Sequence, residues 1–125
     1  MRFAKIVFVT AGVFGVLALA PLYVMFDLIG YQDPPALTHP QFYYGFAGLG
    51  LAWQIAFFAI ATDPVRLRPI MIPSILEKAS YVGALLVLYL QDRVTALQAA
   101  TGAPDALLAV LFALAYLKTP RLTQA

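Results

Sequence analysis

The chain has 125 residues, of which 62% are hydrophobic and only 11% charged, with a net charge of +2 and no cysteine. One domain fits that length, but a soluble domain carries about 25% charged residues, so this chain lacks the polar surface to coat itself for water. The missing cysteines exclude disulfides, thiol redox chemistry, iron–sulfur clusters and thiolate metal sites.

About 20 mostly apolar residues cross a bilayer as a helix. The first such run lies between Lys5 and Asp27. Arg2 and Lys5 followed by "ALA" (Ala18 to Ala20) imitate a signal peptide. Pro21 directly after that site should block cleavage, and the apolar run continues, so this segment reads as a retained span over about 4–27. The next stretch, "DLIGYQDPPALTHPQ", holds Pro34, Pro35, Pro40 and the only histidine, His39. Prolines should stiffen it and keep it out of a helix.

A second span is expected over about 42–62, opened by "QFYYGF" and stopped by "TDPVRLRP". Its Gly48, Ala52 and Ala56 stand at four-residue spacing, as do Ala109 and Ala113 later, and span one carries Gly12 and Gly15. Small residues let helix backbones approach closely in lipid, within the bundle or at a dimer face. Gln54 sits mid-span beside Trp53, and a lone amide in lipid seeks a partner helix. Tyr23, Phe26, Tyr31, Phe42, Tyr43, Tyr44 and Tyr89 cluster near span ends, as an interfacial belt requires, with one or two left to line a pocket.

The third span, about 73–92, contains Glu77 and Lys78 in "PSILEKASYVG". One reading makes them the polar foot of the helix. Ser74 and Glu77 then form a capping box, the carboxylate meets the positive helix end, and Lys78 reaches the headgroups. In the other reading Glu77 shares a face with Ser74 and Tyr81 and pairs with Lys118 or Lys5 of a neighbouring helix or exchanges a proton, while Lys78, about 100° away, is a poor partner for it. The fourth run, Asp105 to Leu117, is short and must borrow flanking residues, giving a span of about 104–118. The connection before it, "QDRVTALQAATGAPD", reads as an extension of helix three, with Gly102 a stop and Pro104–Asp105 a start.

Arg2, Lys5, Arg66, Arg68, Lys118 and Arg121 fall on one side of four spans, against Arg93 on the other. Cationic residues favour the cytoplasmic side. The expected fold is therefore an all-α, integral membrane four-helix bundle with both termini cytoplasmic, set in the cell inner (plasma) membrane. No phosphate loop, paired metal-spaced histidines or serine nucleophile elbow is present. The expectation is no metal, no cofactor and no nucleic-acid partner; membrane lipids, a small apolar ligand, and a homodimer or membrane complex are the partners that fit.

The plan resembles the small bacterial four-helix membrane proteins of the DoxX-like group in hydropathy and size, over most of the chain. "MFDL" at the end of helix one, "WQIAFFAIAT" in helix two and the basic turn into a Pro-started helix are similar to the EXPERA domain of emopamil-binding sterol isomerases and the sigma-2 receptor. Gly50 stands where that domain has an acidic residue. That resemblance implies a pocket open to the bilayer, lined by Asp27 and Gln54.

Two functions follow. In the first, the bundle binds a lipid or small apolar molecule, or serves as an accessory subunit, with Asp27, His39, Tyr43, Trp53, Gln54, Glu77 and Tyr81 as candidate ligand-binding residues. In the second, an intramembrane isomerase moves a proton with Asp27, Glu77 or His39, and Trp53 or a tyrosine stabilises a developing cation. Asp27 and Glu77 are expected at opposite faces, which leaves Asp27 with His39 as the workable pair.

Overall fold

A computed structural model describes residues 2–123. The described residues form helices and connecting turns, with no strand. The main elements are α1 (Arg2–Leu19), α2 (Phe26–Gln32), α3 (Pro40–Thr62), α4 (Met71–Leu90), α5 (Ala96–Ala100) and α6 (Ala103–Lys118). Counting their short extensions, four segments are long and apolar enough to cross a membrane: Arg2–Val24, Pro40–Thr62, Arg68–Leu90 and Ala96–Lys118. A helix satisfies its own backbone groups, so it is the form an apolar segment can adopt without water. Leu17, Val24, Leu49, Leu90, Leu97 and Leu117 are each more than two-thirds exposed, so the outer surface is as greasy as the interior, as expected of a lipid-covered protein.

The starts and stops differ from the sequence expectation in four places. The Pro-rich connection is not free of helix: Phe26–Gln32 forms a seven-residue helix before the prolines begin. Pro21 ends α1 by tightening the chain into a 3₁₀ segment, Ala20–Val24, because proline cannot donate to the α ladder and its ring crowds the preceding turn. The third span begins earlier than Pro73, with a 3₁₀ turn at Arg68–Ile70 running into Met71. The fourth borrows from Ala96 onward, and α5 is a separate helix rather than an extension of α4. Thr95 and Gln98 cap it reciprocally, Gln98 N–H donating to Thr95 Oγ1 and Thr95 N–H to Gln98 Oε1.

The helices pack as two pairs, α1 on α3 and α4 on α6, joined mainly along α1 and α6. The start of α1, the end of α6 and the α3–α4 turn share one end of the bundle. There Arg68 lies 3.8 Å over the Tyr116 ring and donates Nε–H to the Tyr116 carbonyl (3.0 Å), and Lys118 lies 4.5 Å over Phe3. The packed core fills that half of the molecule. Phe8 stacks on Phe112 (4.4 Å), Phe57 meets Phe112 edge-on (4.9 Å), and Ala4, Ala11, Ile60, Met71 and Ala115 close around them. Burying such aromatics dominates core energetics.

Toward the opposite, loop end the pairs diverge, and α3 scarcely touches α4. Gly12, Gly15 and Gly50 hold α1 against α3 there: an added Cβ would strike Phe58, Gln54 and Leu19 respectively. The packed face of α3 is Ala47, Gly50, Gln54, Phe57 and Ala61, whereas Ala52, in the small-residue stripe read from the sequence, is exposed.

Candidate functional site

The divergence leaves a cleft of about 520 Å³ between the two helix pairs. Its two walls differ in chemistry. Phe14, Gly15, Ala18 and Leu19 of α1 and Phe46, Leu49, Gly50 and Trp53 of α3 make one wall apolar, except for Gln54 near its base. Glu77, Lys78, Ser80 and Tyr81 of α4, with Thr101, Pro104 and Asp105 where α5 meets α6, make the other polar. Gln54, Glu77, Lys78 and Asp105 lie well inside their spans rather than at the ends.

Lys78 organises the polar wall. It is 4% exposed, so its stem does not carry the ammonium to the end of the bundle, contrary to the snorkelling expected from sequence. Its Nζ lies 3.4 Å from Asp105 Oδ1 and 3.6 Å from Glu77 Oε2, and 5.4 Å from the centre of the Phe57 ring. Glu77 and Lys78 are 100° apart on the helix, yet their long stems converge over the cleft, which corrects the expectation that they make poor partners. Neither separation is as short as a direct ammonium–carboxylate hydrogen bond, about 2.7–2.9 Å. Two carboxyl groups thus share one ammonium loosely.

The expected capping box at Ser74 and Glu77 is absent. Because α4 starts before Pro73, Ser74 already lies inside the helix, buried, and donates Oγ–H to the Ile70 carbonyl (2.7 Å). The expected pairing of Glu77 with Lys118 or Lys5 is also not made: Lys118 sits over Phe3 and Lys5 is exposed. Gln54, 1% exposed, donates Nε2–H to the Gly50 carbonyl (2.8 Å), and its Oε1, covered by Gly15, accepts no hydrogen bond. Glu77 Oε2 likewise has no hydrogen-bond donor. Higher on the polar wall, the Thr101 hydroxyl donates to the Gln98 carbonyl (2.6 Å), so Tyr81 OH is the donor in its 3.0 Å contact with Thr101 Oγ1.

No family model, curated protein or solved structure matches this chain.

Of the residues singled out from sequence, Trp53, Gln54, Glu77 and Tyr81 meet in this cleft. Asp27 does not: it is exposed on α2, beside a separate hollow lined by Phe26, Gly30, Tyr31 and Leu37. Tyr43 belongs to an aromatic cluster with Phe26 and Tyr44 and donates its hydroxyl to the Leu22 carbonyl (2.7 Å). His39 is exposed at the start of α3 in the left-handed region (φ 58°), 5.7 Å from the Phe42 ring. Among the described residues no hydrogen bond or ion pair joins it to Asp27, and none of the groups of His, Asp and Glu has the three members a metal ion needs. Asp27 and Glu77 stand in separate hollows and share no substrate position.

Sequence reasoning missed Lys78 and Asp105 as members of the site. The available signal was cost. A charge inside a span is expensive unless another meets it, and Asp105 is the only acidic residue in the fourth apolar segment.

Proposed function

We propose that this multi-pass membrane protein holds a small apolar or lipid-like molecule in the cleft between its two helix pairs. The observation carrying this reading is the cleft itself: about 520 Å³, apolar on one wall and polar on the other, between segments long and apolar enough to cross a membrane. Ligand sites are typically concave, mostly apolar, and carry a few placed polar groups. Entry runs sideways between α3 and α4, where contact is sparse. The cationic residues at the end holding both termini support an inner-membrane orientation with that end in the cytoplasm. In a chain without cysteines, a Leu122→Cys variant in intact cells should resist a membrane-impermeant maleimide and react after the membrane is opened. Labelling of intact cells would reverse the orientation.

Native mass spectrometry of the protein extracted in a mild detergent tests the binding reading. The wild type should retain a non-protein adduct of a few hundred daltons. Ala18→Trp, which places an indole in the cleft from an exposed position, should lose it while keeping its helical circular dichroism. Absence of any adduct, or equal retention by the variant, would refute the proposal.

A further inference from the structure

The hydrogen-bonding state of the cleft walls points to what its occupant must carry. Every hydroxyl in the lining already donates within the protein: Ser80 to the Glu77 carbonyl (3.1 Å), Tyr81 to Thr101, and Thr101 to the Gln98 carbonyl. The carboxyls are thinly served: Glu77 and Asp105, both partly exposed, have one ammonium between them, at 3.6 and 3.4 Å. Gln54 Oε1 and Glu77 Oε2 accept no hydrogen bond, but both atoms are covered by protein, so the oxygens an occupant meets are the exposed ones of Glu77 and Asp105. A carboxyl oxygen sealed under an occupant that brings it no donor costs about 1–3 kcal/mol, so a molecule that brings a donor gains what one bringing only acceptors cannot. A site with unmet hydrogen-bonding groups rejects the analogue that lacks the matching group.

Depth restricts the class further. The carboxyls lie inside their spans, across the cleft from Phe14, Phe46 and Leu49. A bilayer phospholipid keeps its head group at the interface and would present only its tails to them. Resting on the binding reading above, we infer that the cleft selects a compact apolar molecule bearing a hydrogen-bond donor, an alcohol or a primary amine, and excludes its ether and the headgroup-anchored lipids. Glu77 and Asp105 select for that donor from the polar wall.

Trp53 lines the cleft and is the only tryptophan in the chain, so its fluorescence reports occupancy directly. The test uses three brominated quenchers of nearly one size in phosphatidylcholine nanodiscs: 4-bromobenzyl alcohol, 4-bromobenzylamine and 4-bromobenzyl methyl ether. Each is corrected for its measured partition into empty nanodiscs. The inference predicts saturable quenching by the alcohol, the amine or both at about one tenth the membrane mole fraction the ether needs. Quenching by the alcohol alone identifies an uncharged donor as the feature recognised, and by the amine alone a cation drawn to Glu77 and Asp105. Asp105→Leu should bring the preference below about threefold. Saturable quenching by all three at one mole fraction overturns the donor inference and leaves the cleft reading standing. Absence of saturable quenching by any of them overturns both. The wild-type comparison decides the matter even where Asp105→Leu fails to fold.

Discussion

An ammonium in the middle of a helix bundle is tolerable only when opposite charge comes with it. Lys78 has that charge on two sides, from its neighbour Glu77 and from Asp105 on a different helix. Removing the ammonium leaves two partly buried carboxylates facing each other's field. Lys78→Met is therefore expected to destabilise the protein by about 2–3 kcal/mol, less than the 3–5 kcal/mol typical of a fully buried pair because the carboxylates retain some exposure. Adding Asp105→Leu should restore at least half of the loss. Denaturation in mixed micelles, followed by circular dichroism, measures both, and a Lys78→Met variant as stable as wild type would remove the cluster from the energetics. Sequence reading picked out Glu77 from the cost of a charge in an apolar run, and Gln54 and Trp53 from their mid-span position. It treated Lys78 as local, because a partner contributed by another helix has no signature in nearby spacing.

Helix ends show the same division between local and distant causes. Ser74–Glu77 and Thr95–Gln98 both match the pattern of a capping box, but only the second is made. Proline is tolerated in a first helical turn, so Pro69 and Pro73 let α4 start upstream, and Ser74 falls inside it. Thr95, in contrast, follows a true break. There α4 ends with Arg93 N–H donating to the Leu88 carbonyl (2.9 Å), Asp92 N–H to the Tyr89 carbonyl (3.0 Å), and Asp92 at φ 58°. This closure prefers glycine at the left-handed position, and a carboxylate there also faces the negative end of the helix. Asp92→Gly should stabilise the protein by about 0.5–1 kcal/mol, read as a raised denaturation midpoint. An unchanged or lowered midpoint would contradict this account of the α4 terminus.

At the scale of the whole molecule, the four apolar segments and the charge bias between their ends were legible from composition alone, because both depend on sums over many residues. The splay was not. It depends on where bulk meets bulk: Phe8, Phe57 and Phe112 fill the half near the termini, while Gly15, Ala18 and Gly50 line the space left in the other. Small residues in an apolar run predict close packing. Gly12, Gly15 and Gly50 use it to bring α1 and α3 together, yet on the far side of the same helices it leaves room for something else. The most direct test of that room is an experimental density map of the protein in a lipid nanodisc. The account predicts helices α3 and α4 held apart toward the loop end, with non-protein density between them reaching Gln54 and Glu77. Helices closed side by side, with Trp53 packed against Tyr81 and no space between, would contradict it.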